Sequence, residues 1–192
     1  MLERLSKRIA LWLINSGLLK ETDCELCTYA INYLLLIILP TIVFTIYCVI
    51  THNIWIGLIE IFSFLLIRKY SGGFHCQSSS VCLILSSVLL IAVAWLSSVI
   101  QPSLPMLVIL IICDFELILK GPVISIRHSV SEAEKDYYHR CLCIILFILN
   151  SLFLFLWFHG MNHLANCLAI VIMICSISHI VCSIGKNKGL YY

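Results

Sequence analysis

The chain has 192 residues, 61% of them apolar and only 11% charged, with a formal net charge of +2. Soluble globular domains carry about a quarter charged residues, so this balance belongs to a bilayer protein and excludes an ordinary soluble domain. The twelve Lys and Arg are scattered among short polar stretches rather than gathered on one surface, which excludes a nucleic-acid partner.

Residues 1–16 read as an amphipathic helix. Leu2, Leu5, Ile9, Trp12 and Leu13 share one face, Arg4, Lys7 and Arg8 the other, and Gly17 stops it. Such a helix lies on the cytoplasmic membrane surface. A cleavable signal is excluded, because the apolar run is short and no small-residue cleavage pattern follows.

Crossing the hydrocarbon core takes roughly 20 apolar residues. Stretches 30–50, 81–100 and 164–184 meet that length, and 141–158 is just long enough. Stretch 54–67 is weaker and carries Glu60; 106–119 is weaker and carries Asp114 and Glu116. The expected fold is an all-α integral membrane protein, a single domain of about six transmembrane helices plus the N-terminal interfacial helix.

Charge sets the order of the spans. Arg4, Lys7, Arg8 and Lys20 precede the first, and Arg68 and Lys69 follow the second. Lys120, Arg127, Lys135 and Arg140 follow the fourth, and Lys186 and Lys188 end the chain; connections 51–53, 101–105 and 159–163 carry neither residue. This alternation predicts six spans with both termini in the cytoplasm.

Eleven cysteines do not make a disulfide scaffold, since most sit within apolar runs, where cysteine behaves as a small hydrophobe. The chemistry-bearing stretch is 68–82, Arg-Lys-Tyr-Ser-Gly-Gly-Phe-His-Cys-Gln-Ser-Ser-Ser-Val-Cys. Gly72-Gly73 permits a sharp turn or a close substrate approach. A serine among 78–80 can cap the next helix, which puts Cys82 near its first turn. A helix start and a neighbouring imidazolium both favour a thiolate nucleophile, and His75 is the nearby imidazole. Seven residues along one helix would separate the two by about 10 Å, so the pair works only if 72–79 is a loop. Cys76 competes as the nucleophile, though nothing in its placement activates it similarly.

The pattern Arg68-x-Tyr70-x-Gly72-Gly73-x-His75, followed by Cys82 between the second and third of six spans, resembles the accessory gene regulator B family. These are bacterial membrane endopeptidases that process quorum-sensing peptide precursors. The resemblance implies Cys82 as nucleophile and His75 as general base, with Arg68 and Gly73 at further motif positions. The enzyme would sit in the bacterial plasma membrane with its catalytic loop in the cytoplasm. It would act without a cofactor on a precursor signalling peptide held at the bilayer, as a homodimer. Arg68 and Lys69 would hold the acidic tail of that peptide, with Gly72 and Gly73 shaping the loop. The family's proline-containing stretch is echoed by Lys120-Gly121-Pro122-Val123, but 124–130 lacks its Asp- and Asn-bearing continuation, so no substrate contact is assigned there.

Two other readings start from different residues. Cys24 and Cys27, with His139, Cys141 and Cys143, could hold zinc, although Cys-x-Cys is a poor second half of such a site. Glu60, Asp114 and His179 could line a proton or cation path in a transporter or exporter. Transporters are often built from repeated halves, and none is visible here.

Overall fold

The computed structural model describes residues 2–17, 23–72, 78–123 and 131–187. Among these the only regular structure of any length is helix: α1 (Leu2–Asn15), α2 (Cys24–Ile50), α3 (Ile54–Ser71), α4 (Ser79–Val99), α5 (Leu104–Lys120), α6 (Glu132–Phe158) and α7 (Asn162–Asn187). The chain is an all-α membrane protein.

The count of about six spans is not matched exactly. Among the described residues four helices are long and apolar enough to cross a bilayer: α2, α4, α6 and the Asn162–Ile184 part of α7. The two weak stretches do form helices, α3 and α5. However, α5 has 17 residues and is about 25 Å long, short of a hydrocarbon core of about 30 Å. The 18 residues of α3 include Glu60, Arg68 and Lys69. Conversely, α6 starts well before its apolar run. Ser131 Oγ accepts from the Glu134 N–H at 3.3 Å, and Glu134 Oε2 accepts from the Ser131 N–H at 2.9 Å. This reciprocal cap nucleates a polar first turn. His139, which precedes the 141–158 apolar stretch, therefore lies on α6.

The chain forms two compact units, Met1–His52 with His75–Ile91, and Asn53–Phe74 with Ala92–Tyr192. In the first, α1 packs on α2. Leu2, Ser6 and Ala10, spaced by four, form the buried stripe of α1, and the small residues let the backbones approach. Leu5 and Trp12 stay exposed. The apolar side of α1 is thus divided, one part against α2 and one part open to lipid.

In the second unit α7 is the core helix, packed by α3, α5 and α6. Cys167, Leu168, Ala169, Val171 and Ile172 are buried along it. Two sets of contacts make α7 a ruler. Near its start, the Asn166 Nδ2 donates to the Ser97 and Ile100 carbonyls at the end of α4. Near its end, His179 reaches Gly121 O beyond α5 at 2.8 Å. Thirteen residues separate Asn166 from His179, about 20 Å of helix. The Val123 N–H then donates to Ser71 O at 2.9 Å, so the ends of α3 and α5 meet. The basic ends of α3 and α5, with Arg68, Lys69 and Lys120, therefore share one end of this unit, and the bare turn after α4 lies at the other. That is the alternation the charges require. Ile112, Phe115, Phe147, Ile148 and Phe155 remain exposed on the outer faces, as lipid contact demands.

Glu60 is fully buried in this unit, and neither carboxyl oxygen has a hydrogen-bond partner among the described residues. An unsatisfied buried carboxyl costs more than an apolar group of similar volume. Glu60→Met is accordingly expected to raise the thermal midpoint of the detergent-solubilised protein by about 2–4 °C, read from its unfolding curve.

Candidate active site

Arg68 and Lys69 lie in the last turn of α3, where cationic side chains complement the helix dipole. The Arg68 guanidinium stands 5.6 Å from the Phe64 ring, and Lys69 Nζ stands 5.1 Å from the Tyr70 ring. Tyr70 packs edge-on to Tyr138 of α6, with ring centroids 6.0 Å apart. Lys69 is exposed and Arg68 half-buried, so both polar heads stand at the rim of the unit.

Gly72 ends α3 with φ +76° and ψ −166°, a region open in practice to glycine alone. Its N–H donates to Arg68 O at 3.1 Å. A Cβ at this position would overlap Val123 O. Glycine is needed here twice over, for its backbone angle and for the close approach of another strand of chain. Gly73 and His75, together with Cys76, lie outside the described residues.

In the first unit, the Cys82 N–H donates to Ser78 O at 3.0 Å. This bond spans the start of α4, so Cys82 closes its opening turn. The Cys82 side chain is buried, 7% exposed. Asn32 Nδ2 donates to Ser79 Oγ at 3.1 Å, which ties α2 to the opening turn of α4. Asn32 also borders an open groove of about 700 Å³ between α1 and α2, whose other walls include Glu3, Lys7, Glu25 and Tyr29. Asn32 Oδ1 is buried with no partner among the described residues.

Among the described residues no group of three or more His, Cys, Asp or Glu side chains is placed to hold a metal ion. Cys24 and Cys27 sit in the first turns of α2, half-buried and not disulfide-bonded. His139 and Cys143 meet each other on α6, at 3.7 Å.

The accessory gene regulator B family matches residues 6–179. The chain belongs to that family. No curated protein and no solved structure matches it. Family membership makes this a membrane protein of autoinducer processing, associated with a precursor peptide at the membrane.

The matched stretch contains the whole of 68–82 and ends on His179. His179, read from the sequence as a candidate for a proton path, is fully buried and paired. Its Nδ1 is 3.0 Å from Glu116 Oε1. Glu116 also accepts from Ser176 Oγ at 3.0 Å and lies 3.2 Å from Lys120 Nζ. The spacing of Glu116 and Lys120, one helical turn apart, is visible in the sequence. Their meeting with His179 is not, because it depends on the packing of α7 against α5.

Proposed function

We propose that this protein is a membrane cysteine endopeptidase that removes the C-terminal tail of a signalling-peptide precursor, with Cys82 as nucleophile and His75 as general base. The observation that carries this reading is the position of Cys82. It is buried at the opening turn of α4, seven residues after a histidine, in a chain of this family.

In the proposed mechanism His75 takes the proton from the Cys82 thiol, and the thiolate attacks the scissile carbonyl. The carbon–nitrogen bond breaks, the tail leaves as an amine carrying that proton, and the rest of the peptide stays as a thioester on Cys82. A thiol within the peptide then attacks the thioester. A thiolactone closes, and Cys82 departs as thiolate and recovers a proton. A serine in place of that thiol would close a lactone. One thioester replaces another, so the acyl group stays activated throughout. Shielding from water favours exchange over hydrolysis.

The groove beside Asn32 provides a place for the peptide to lie, since it is open, bordered by Glu3, Lys7 and Glu25, and tied through Asn32 and Ser79 to the turn that holds Cys82. The positive-inside pattern puts loop and termini in the cytoplasm. The experiment that tests the reading is mass spectrometry of membranes co-expressing the protein and a candidate precursor. A hydroxylamine-labile peptide adduct located on Cys82 itself, by sequencing the 70–120 tryptic fragment that also carries Cys76 and Cys113, supports it; processing with the adduct on another residue discards it.

Arg68 and Lys69, which open the 68–82 segment, are the cations proposed to hold the acidic tail. Arg68→Glu is expected to raise KM for an acidic-tailed precursor by about tenfold, one charge-assisted contact being worth roughly 1.4 kcal/mol. A tail neutralised by Gln substitution should lose that sensitivity, which initial-rate measurements on the two peptides will show.

A further inference from the structure

The buried His179 has oxygen partners on both ring nitrogens. Gly121 O, 2.8 Å from Nε2, is a carbonyl and can only accept, so Nε2 carries a proton. Nδ1 lies 3.0 Å from Glu116 Oε1. Ser176 and Lys120 occupy further lone pairs of that carboxylate. The carboxylate is therefore held from α5 and α7 together, and it holds the ring in one orientation.

Gly121 is where α5 ends, with φ +64°. Two residues later, the Val123 N–H donates to Ser71 O at 2.9 Å, and Val123 O fills the place that a Cβ on Gly72 would take. A continuous set of contacts thus runs from Glu116 through His179 to the strap 121–123, and from the strap to the last two residues of α3. On the far side of Gly121 stands His139, whose Nδ1 would be 3.1 Å from an added Cβ. The strap is gripped between α6 and α7 and presses on the point where the 68–82 segment leaves its helix.

We propose that Glu116 and His179 form a brace that fixes this departure point, making His179 a positioning residue for the peptidase reaction. The inference rests on the function proposed above, because it assigns the brace a purpose in delivering His75, three residues past Gly72. The requirement for it is physical. A general base misplaced by about 1 Å can cost roughly 10²-fold in rate, and a loop departing from a free helix end has no such precision. Glu116 and His179 touch neither substrate nor nucleophile in this account; they act through backbone.

The experiment combines two readouts on the full chain in membranes. Hydrogen exchange at the Val123 amide reports the strap directly, without reference to activity. Tail release from a precursor peptide, resolved into kcat and KM, reports the consequence. His179→Ala is expected to speed exchange at Val123 about tenfold and to lower kcat about tenfold, with KM within twofold of the parent. Glu116→Leu should do the same, and it keeps the test available if His179→Ala fails to fold. The pair Glu116→Gln with His179→Gln rebuilds a donor to Gly121 O supported by a neighbouring amide. It should recover kcat at least severalfold over His179→Ala. Faster exchange with unchanged kcat overturns the positioning role, and unchanged exchange overturns the brace. Loss of kcat without recovery in the double Gln variant also overturns it, leaving His179 a packing residue only. A parent protein that releases no tail overturns the peptidase reading and the positioning role with it, while exchange still decides whether the strap is held.

Discussion

Cys82→Ala is expected to abolish tail release, lowering it by about 10³-fold or more at unchanged protein level. The reason lies in the proposed chemistry. Without the sulfur no acyl-enzyme forms, and a second residue cannot replace it by proximity alone. The loss of stability should be modest, since the substitution removes one sulfur atom from a buried position, at a cost of about 1 kcal/mol. The thermal midpoint should therefore fall by no more than about 4 °C, which separates lost chemistry from lost fold. Cys82→Ser is the sharper variant. Its hydroxyl is a poor nucleophile under the same base, and any ester it forms is a worse acyl donor to a peptide thiol. Cyclic product should vanish even where traces of cleavage persist. His75→Ala should match Cys82→Ala in rate, because nucleophile and base act as one unit and their losses do not add. Cleavage that survives loss of Cys82 would move the nucleophile to Cys76.

Hydropathy and charge made much of this architecture legible. Every stretch read as apolar is helical, and the alternation of basic and bare connections matches the contacts at the two ends of the second unit. What hydropathy could not place were helix ends set by polar groups. The start of α6 follows a capping box, Ser131 with Glu134, and the end of α3 lies beyond Arg68 and Lys69 at a glycine. Both signals are local, but a window tuned to apolar runs passes over them. Spans also proved harder to count than helices. Glu60 and the short α5 give these segments helical form without the length or apolarity of a free-standing crossing, and packing on α7 supplies the difference.

The candidate site was legible only along the chain. Cys82 at a helix start and Gly72 at a turn follow from residue type and spacing. The Gly121–Val123 strap, the Glu116–His179 pair and the Asn32–Ser79 contact each join residues more than forty positions apart. No periodicity within one helix can reveal them. His179 illustrates the point. In an apolar run a lone histidine reads equally as a proton carrier or a buried contact, and only the carbonyl and carboxylate at its two nitrogens decide.

Gly72→Ala is expected to lower tail release by about 10²-fold, the largest effect outside the proposed catalytic pair. Two penalties fall together. The backbone angle, φ +76° with ψ −166°, costs a residue with a Cβ about 1–3 kcal/mol. The added methyl also overlaps Val123 O, a backbone atom that cannot rotate away. Relief requires either the strap to lift from Ser71 or the chain after Gly72 to leave in a new direction. Both displace the start of the segment that carries His75. Gly160→Ala separates the two penalties. Gly160 shares the positive angle, φ +74°, but nothing lies within 4 Å of its Cβ position. That variant should lose only about 1 kcal/mol of stability and retain tail release within twofold of the parent. Paired measurements of thermal midpoint and release rate distinguish the causes. If Gly72→Ala and Gly160→Ala behave alike, backbone angle alone governs position 72. If Gly72→Ala loses rate far beyond its loss of stability, the contact with Val123 sets the geometry of the site.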